Sequence, residues 1–223
     1  METASSTNTY QFYIKMIIGI DFDNTIIIYD KVFYNVALKL NFIDKNCPQN
    51  KFLIREDIRK LKDGEIKWRK VQALVYGKYI YHAEIARGFH DFINECRKLK
   101  IKIYIVSHKT KFASLDNKLI NLHEPALNWL KQKGFFYYLG FKNSDVFFVE
   151  TRKDKIDKIK NLECDIFVDD LIEVFLEPEF PQRIIKILYN PFKINYNYNC
   201  KNIINFSHWD DIRKFVSNRI YFR

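Results

Sequence analysis

The chain of 223 residues is 48% hydrophobic and 17% aromatic, enough for a sizeable core and, on length, for one domain with an inserted subdomain. A formal net charge of +10 points to anionic partners without choosing between nucleic acid, nucleotide and phosphate ester. The four cysteines, Cys47, Cys96, Cys164 and Cys200, are scattered without a CxxC pair, which argues against a zinc or redox motif; with no apolar run near ~18 residues and no signal-peptide pattern, a cytoplasmic protein with no membrane partner is expected.

Residues 1–9 are small and polar and read as a disordered tail. Tyr10–Ile20 reads as the first strand, and 31–43 as a helix with apolar positions Val32, Phe33, Val36, Ala37 and Leu40. After a turn at Asn46-Cys47-Pro48, residues 53–62 and 65–77 read as two further helices. No strand-like segment breaks 28–84, so this stretch is expected to be a helical insertion. Phe89–Lys100 is an amphipathic helix leading into a buried strand, Ile101–Val106, that ends at Ser107. A helix over Leu122–Lys133 stops at Gly134. Val146–Val149, Asp165–Val168, Ile184–Tyr189 and Ile203–Phe206 read as strands, with helices at Asp154–Asn161 and Trp209–Val216. The alternation predicts an α/β fold: a doubly wound parallel sheet with a small helical insertion.

In such folds ligands bind beyond the C-terminal strand ends, at a topological switch point. Asp21, Asp23, Ser107, Asp169 and Asp170 all follow predicted strands. Acids two residues apart share one side of the pleat and repel unless a cation compensates them. Mg²⁺ is the expected cofactor, because it takes hard oxygen ligands from one or two carboxylates and phosphate oxygens.

These residues resemble the motifs of the haloacid dehalogenase superfamily, phosphatase type. Asp21-Phe22-Asp23-Asn24-Thr25 matches the first motif, DxDxT, and Ile103–Ser107 the second, an apolar strand ending in Ser or Thr. Lys153 and Lys155 both lie near the place of the third motif, with Lys155 preferred because it opens the predicted helix. Ile166-Phe167-Val168-Asp169-Asp170 fits the fourth, although Glu173 stands where many members have Asp. The motifs keep the family's order over residues 17–173.

The resemblance implies a Rossmann-like core at 10–27 and 85–223 and a cap subdomain at 28–84. It implies Asp21 as nucleophile, Asp23 as acid/base, Ser107 as a hydrogen-bond donor to a phosphoryl oxygen and Lys155 as the balancing charge. Asp21, the backbone carbonyl of Asp23 and Asp169 would hold Mg²⁺, with Asp170 as a further ligand or an orienting group. Family dehalogenases lack the second acid, so Asp23 points to phosphoryl chemistry. Asn24 is a candidate substrate contact, as are His108 and Lys109, which follow Ser107 and would lie at the mouth of the site.

From Lys51 to Lys78 the cap holds nine Lys/Arg against four acids, which suits a substrate with an extra anionic group. Trp68, Tyr76, Tyr79 and Tyr81 read as cap core, with stacking on a base or sugar as the alternative. The expected activity is hydrolysis of a small phosphorylated metabolite, a nucleotide or sugar phosphate. The positive charge motivates a second reading, a nucleic-acid end phosphatase. A non-catalytic binding or regulatory module is the third.

Overall fold

Ile17-Ile18-Gly19-Ile20 becomes β1 (Ile17–Ile20), a short apolar strand at the centre of the sheet, as its lack of polar residues requires. The computed structural model describes residues 16–115, 118–196 and 202–221; the expected tail and positions 10–15 of the expected first strand lie outside them. A two-residue strand β2 (Ile27–Ile28) follows, then α1 (Asp30–Lys39), α2 (Lys51–Arg59) and α3 (Gly64–Tyr76). Strand β3 (Glu84–Ile85) pairs antiparallel with β2, so a small ribbon bounds the helical insertion at both ends. The chain continues through α4 (Phe89–Lys98), β4 (Lys102–His108), β5 (Phe112–Leu115), β6 (Lys118–Asn121) and α5 (His123–Gln132). It closes with β7 (Val146–Val149), α6 (Arg152–Asn161), β8 (Ile166–Asp169), α7 (Ile172–Leu176), β9 (Ile185–Tyr189), β10 (Ile203–Phe206) and α8 (Trp209–Tyr221). Among the described residues no helix is long and apolar enough to cross a membrane.

Six strands form one parallel sheet in the order β10-β9-β8-β1-β4-β7. The chain moves from β1 outward to β4 and β7, then returns to the other side of β1 for β8, β9 and β10. That reversal opens a crevice at the C-terminal end of β1. Register puts Ile20 beside Ile105 on one side and Val168 on the other. Asp21, Ser107 and Asp169 therefore reach the edge of the sheet at nearly the same level. Apolar clusters cover both faces. One runs from Ile18 and Ile20 through Phe89, Phe92 and Trp209 into the insertion; the other gathers Phe167, Phe175, Phe180 and Leu188.

Gly19 is required by close packing. A Cβ there would lie 2.5 Å from the Phe167 ring and 3.0 Å from Cys164 Sγ, and Phe167 is fully buried. Gly19→Ala is expected to cost about 1–3 kcal/mol by overpacking, read as a lowered urea midpoint at unchanged slope. An unchanged midpoint would show that the ring can yield.

Two local signals set the elements near the site. Thr151 Oγ1 accepts from the Asp154 amide at 3.0 Å while the Asp154 carboxylate accepts from the Thr151 amide at 3.2 Å. This reciprocal cap starts α6 at Arg152 rather than at the expected Asp154, and it leaves Lys155 on the buried face with Ile156 and Ile159. Gly134, at φ 78°, ends α5 in the left-handed conformation open to glycine.

Within the insertion, Phe33 stacks on Trp68 with ring centres 5.0 Å apart, and Tyr76 meets Phe33 and Tyr29 edge-on. Trp68 and Tyr76 are thus cap core, as read from the sequence, whereas Tyr81 is exposed and lies over His82. The β5–β6 hairpin was not anticipated. It follows β4 directly and packs β5 against α3, so the core touches the insertion from a second side.

Candidate active site

Asp21 leaves the end of β1 with its backbone amide bonded to the Val168 carbonyl at 2.8 Å. The side chains of Asp21, Asp169 and Lys155 are almost wholly buried. Lys155 Nζ donates to Asp21 Oδ1 at 2.5 Å and to Asp169 Oδ2 at 2.6 Å, so one ammonium bridges two strand ends. Lys153 is exposed, and of the two lysines it is Lys155 that contacts the acids. Asp170 stands next to Asp169, partly buried, with Thr25 Oγ1 at 3.5 Å from its Oδ1. Glu173 is exposed at the start of α7.

The electrostatics of this cluster are unbalanced. Burial pushes the Asp21 carboxyl up to about 7; Lys155 pulls it down, while Asp169 and Asp23 add to the rise. Burial also drives Asp170 well above the carboxylate range, reinforced by Asp169 and Asp21. Burial works to lower the Lys155 ammonium, but Asp169 and Asp21 outweigh it and hold it above the ordinary lysine value.

Asp21, Asp169 and Asp170 offer ligand oxygens that all lie within 4.8 Å of one another. Three hard oxygens in a largely buried, over-negative cluster fit a divalent cation of the Mg²⁺ type, whose charge would offset the repulsion among them.

Asp23 faces a different neighbourhood. Phe22 between the two acids is fully buried, edge-on to Trp129 and Phe148. Asn24 then adopts φ 57°, and the amides of Ile26 and Ile27 both return to the Phe22 carbonyl. The tight turn brings Tyr29 back, so that its hydroxyl donates to Asp23 Oδ1 at 2.6 Å. Lys109 Nζ donates to both oxygens of Asp23, at 2.9 and 3.1 Å. The same ammonium lies 4.6 Å from the Tyr76 ring centre, which places Asp23 on the insertion side of the site.

Ser107 is buried on β4, His108 is exposed and Lys109 is buried. The two residues expected together at the mouth are therefore split by the strand's period of two: Lys109 faces the acids and His108 faces solvent. The Lys109 backbone is fixed through its amide to the Val149 carbonyl and its carbonyl to His123 Nε2, at 2.9 and 2.6 Å.

Sequence reasoning missed Tyr29, His123 and Lys51 as neighbours of the site. Tyr29 lay within the expected cap, and only the left-handed turn at Asn24 shows that six residues of chain fold back onto Asp23. For Lys51 the sequence gave only its place in a basic stretch.

No family model matches the sequence, and neither does any curated protein. Solved structures match over nearly the whole chain. A haloacid dehalogenase superfamily hydrolase from Ehrlichia chaffeensis aligns with TM-score 0.53 and 16% identity, covering 93% of this chain and 99% of that one. A haloacid dehalogenase-like family hydrolase from Streptococcus pneumoniae aligns with TM-score 0.56 and 13% identity, over 90% and 98% of the two chains. A family IA, variant 3 hydrolase of the superfamily from Entamoeba histolytica gives 0.55 and 13%, over 89% and 95%. The chain has the fold of the haloacid dehalogenase superfamily hydrolases, with a helical insertion between core strands.

Proposed function

We propose that this protein is a Mg²⁺-dependent phosphatase that hydrolyses a small phosphorylated metabolite through an aspartyl-phosphate. The observation that supports this reading best is Asp23: a second acid, held in place by Tyr29 and Lys109, beside a buried carboxylate that Lys155 ties to Asp169.

A phosphate monoester repels an anionic nucleophile, so the site must neutralise charge before attack. Asp21, Asp169 and Asp170 would hold the cation, which when bound supplies Lewis-acid pull on the phosphoryl oxygens. Lys155 keeps Asp21 oriented and balances charge as the ester approaches. The Asp21 carboxylate attacks phosphorus, forming a P–O bond while the ester P–O bond breaks. Asp23, protonated, gives its proton to the leaving oxygen. As a carboxylate it then takes a proton from the water that attacks the aspartyl-phosphate. The bond to Asp21 breaks and orthophosphate leaves. Ser107 would donate to a phosphoryl oxygen throughout. Tyr29 and Lys109 hold the Asp23 carboxylate where it meets the leaving group. The insertion over the acids excludes water from the first step.

The burial of Asp21, Ser107 and Lys109 favours a small ester, such as a nucleotide or sugar phosphate, over a polymer end. The test is a phosphate-release screen with Mg²⁺ that includes oligonucleotides with terminal phosphates. Turnover of small esters is expected, abolished by chelation and restored by Mg²⁺. Full turnover in metal-free buffer would sink the metal reading. Preferential, salt-sensitive turnover of oligonucleotides would favour the nucleic-acid reading instead.

A further inference from the structure

Three lysines surround the acids, and two of them are matched. Lys155 bridges Asp21 and Asp169, and Lys109 is paired with Asp23. The third, Lys51, comes from the insertion. Its amide donates to Asp30 Oδ1 at 2.7 Å, and Asn50 Oδ1 caps α2 through the Leu53 amide at 3.1 Å. The backbone is thereby pinned between α1 and α2.

The Lys51 ammonium lies 5.5 Å from the Phe33 ring centre and 5.6 Å from that of Tyr76, within reach of the Tyr76 hydroxyl. Lys109 lies over the same Tyr76 ring, so Lys51 and the Lys109–Asp23 pair are neighbours across one side chain. Lys51 is within the electrostatic range of Asp170 and Asp23. Yet among the described residues it makes no ion pair. Tyr76, Asp170 and Asp23 keep this ammonium charged despite its burial, yet it rests on two aromatic faces with no carboxylate in direct contact. An arriving anion would supply that contact.

Its location decides which anion. The phosphoryl end is already served by Lys155, Ser107 and the acid cluster. Lys51 stands on the insertion side of Asp23, and Asp23 is the residue that meets the leaving oxygen. We propose that Lys51, with the Tyr76 hydroxyl, is a specificity-determining pair that receives an anionic group on the leaving-group half of the substrate. The substrate class is a small phosphomonoester that carries a carboxylate or second phosphate within a few carbons of the ester oxygen. This rests on the phosphatase reading above.

The experiment compares matched esters with the Mg²⁺-loaded full chain. One pair is 2-phosphoglycolate against 2-hydroxyethyl phosphate; the other is fructose 1,6-bisphosphate against fructose 1-phosphate. p-Nitrophenyl phosphate serves as the substrate without an anionic leaving group. In Lys51→Met, which keeps the stem against Phe33 and Tyr76, kcat/KM for the anion-bearing esters is expected to fall at least about tenfold more than for the others, mainly through KM. Lys51→Arg should restore most of the preference. Calorimetry on Asp21→Asn with the same pairs reads binding without turnover, and there Lys51→Met should erase the preference. Equal losses on all esters, or no change in their ratio, would overturn the proposal. If wild-type protein hydrolyses none of the esters, the phosphatase reading fails by itself. The calorimetric ratio then decides the anion site alone, and an unchanged ratio overturns it.

Discussion

Asp21→Asn is expected to lower turnover by at least about 10³-fold and to leave the fold standing. The replacement is isosteric, and Lys155 keeps Asp169 at 2.6 Å. The amide cannot form the acyl phosphate, so the remaining groups act without the step they serve. Stability should move in the opposite sense from activity. The folded carboxyl is raised to about 7 from an ordinary 3.8, with burial as the first cause. The folded state therefore binds a proton that the unfolded chain has already lost. The metal-free wild type is favoured by this group below about pH 4 and loses that contribution as pH rises to about 7. Asn carries no such penalty. Metal-free Asp21→Asn should gain in melting temperature relative to wild type across this window, and Mg²⁺ should narrow the gap by stabilising wild type more. Retained turnover would place the nucleophile elsewhere; a melting difference flat from pH 4 to 7 would mean that Asp21 is not the group under strain.

The strand ends carrying the acids were legible because a parallel sheet writes itself as apolar runs stopped by polar residues, and Ile17–Ile20, Ile103–Val106 and Ile166–Val168 are such runs. The helices of the insertion were legible from spacing, with boundaries displaced by a few residues where caps decide. Asn50 starts α2 at Lys51 instead of 53, and Thr151 starts α6 at Arg152. The β2–β3 ribbon was not legible, because two-residue strands have no period. The β5–β6 hairpin lay in a stretch left unassigned after Ser107, although Asp116-Asn117 between Leu115 and Lys118 is a turn-prone pair.

Within the site, the acids and Lys155 were legible as residue types at strand and helix ends. Their partners were not. Tyr29 reaches Asp23 only through the turn at Asn24, and Lys51 reaches the site only through the packing of α1, α2 and α3. The opposite burial of His108 and Lys109 was readable in advance, because alternation through the end of β4 sets Ser107 and the following Lys109 on one face and His108 on the other.

Asp23→Asn separates a phosphatase from a phosphate-binding relic. An acid two residues beyond the nucleophile is needed only if a leaving oxygen must be protonated and a covalent intermediate hydrolysed. General acid–base help of this kind is typically worth about 10²–10⁴-fold, so turnover should collapse by that order. The backbone carbonyl at position 23 is unchanged, and metal binding should survive. An aryl phosphate has a leaving group that needs little protonation. With it, Asp23→Asn should form the intermediate at a rate closer to wild type and then stall at hydrolysis. Single-turnover release of the phenol measured against release of phosphate reads the two phases separately. Lys109 demands a control, because its side chain is 3% exposed and Asp23 is its ion-pair partner. Removing the carboxylate leaves a buried ammonium facing a neutral amide, a destabilising change in its own right. Adding Lys109→Met to Asp23→Asn removes that orphaned charge and should recover stability. It should not recover phosphate release, since neither Met nor Asn can take a proton from water. If the double variant regains turnover, the single variant failed through a misplaced lysine and Asp23 is not the acid/base. If Asp23→Asn alone keeps wild-type rates in both phases, the proton path runs through another group.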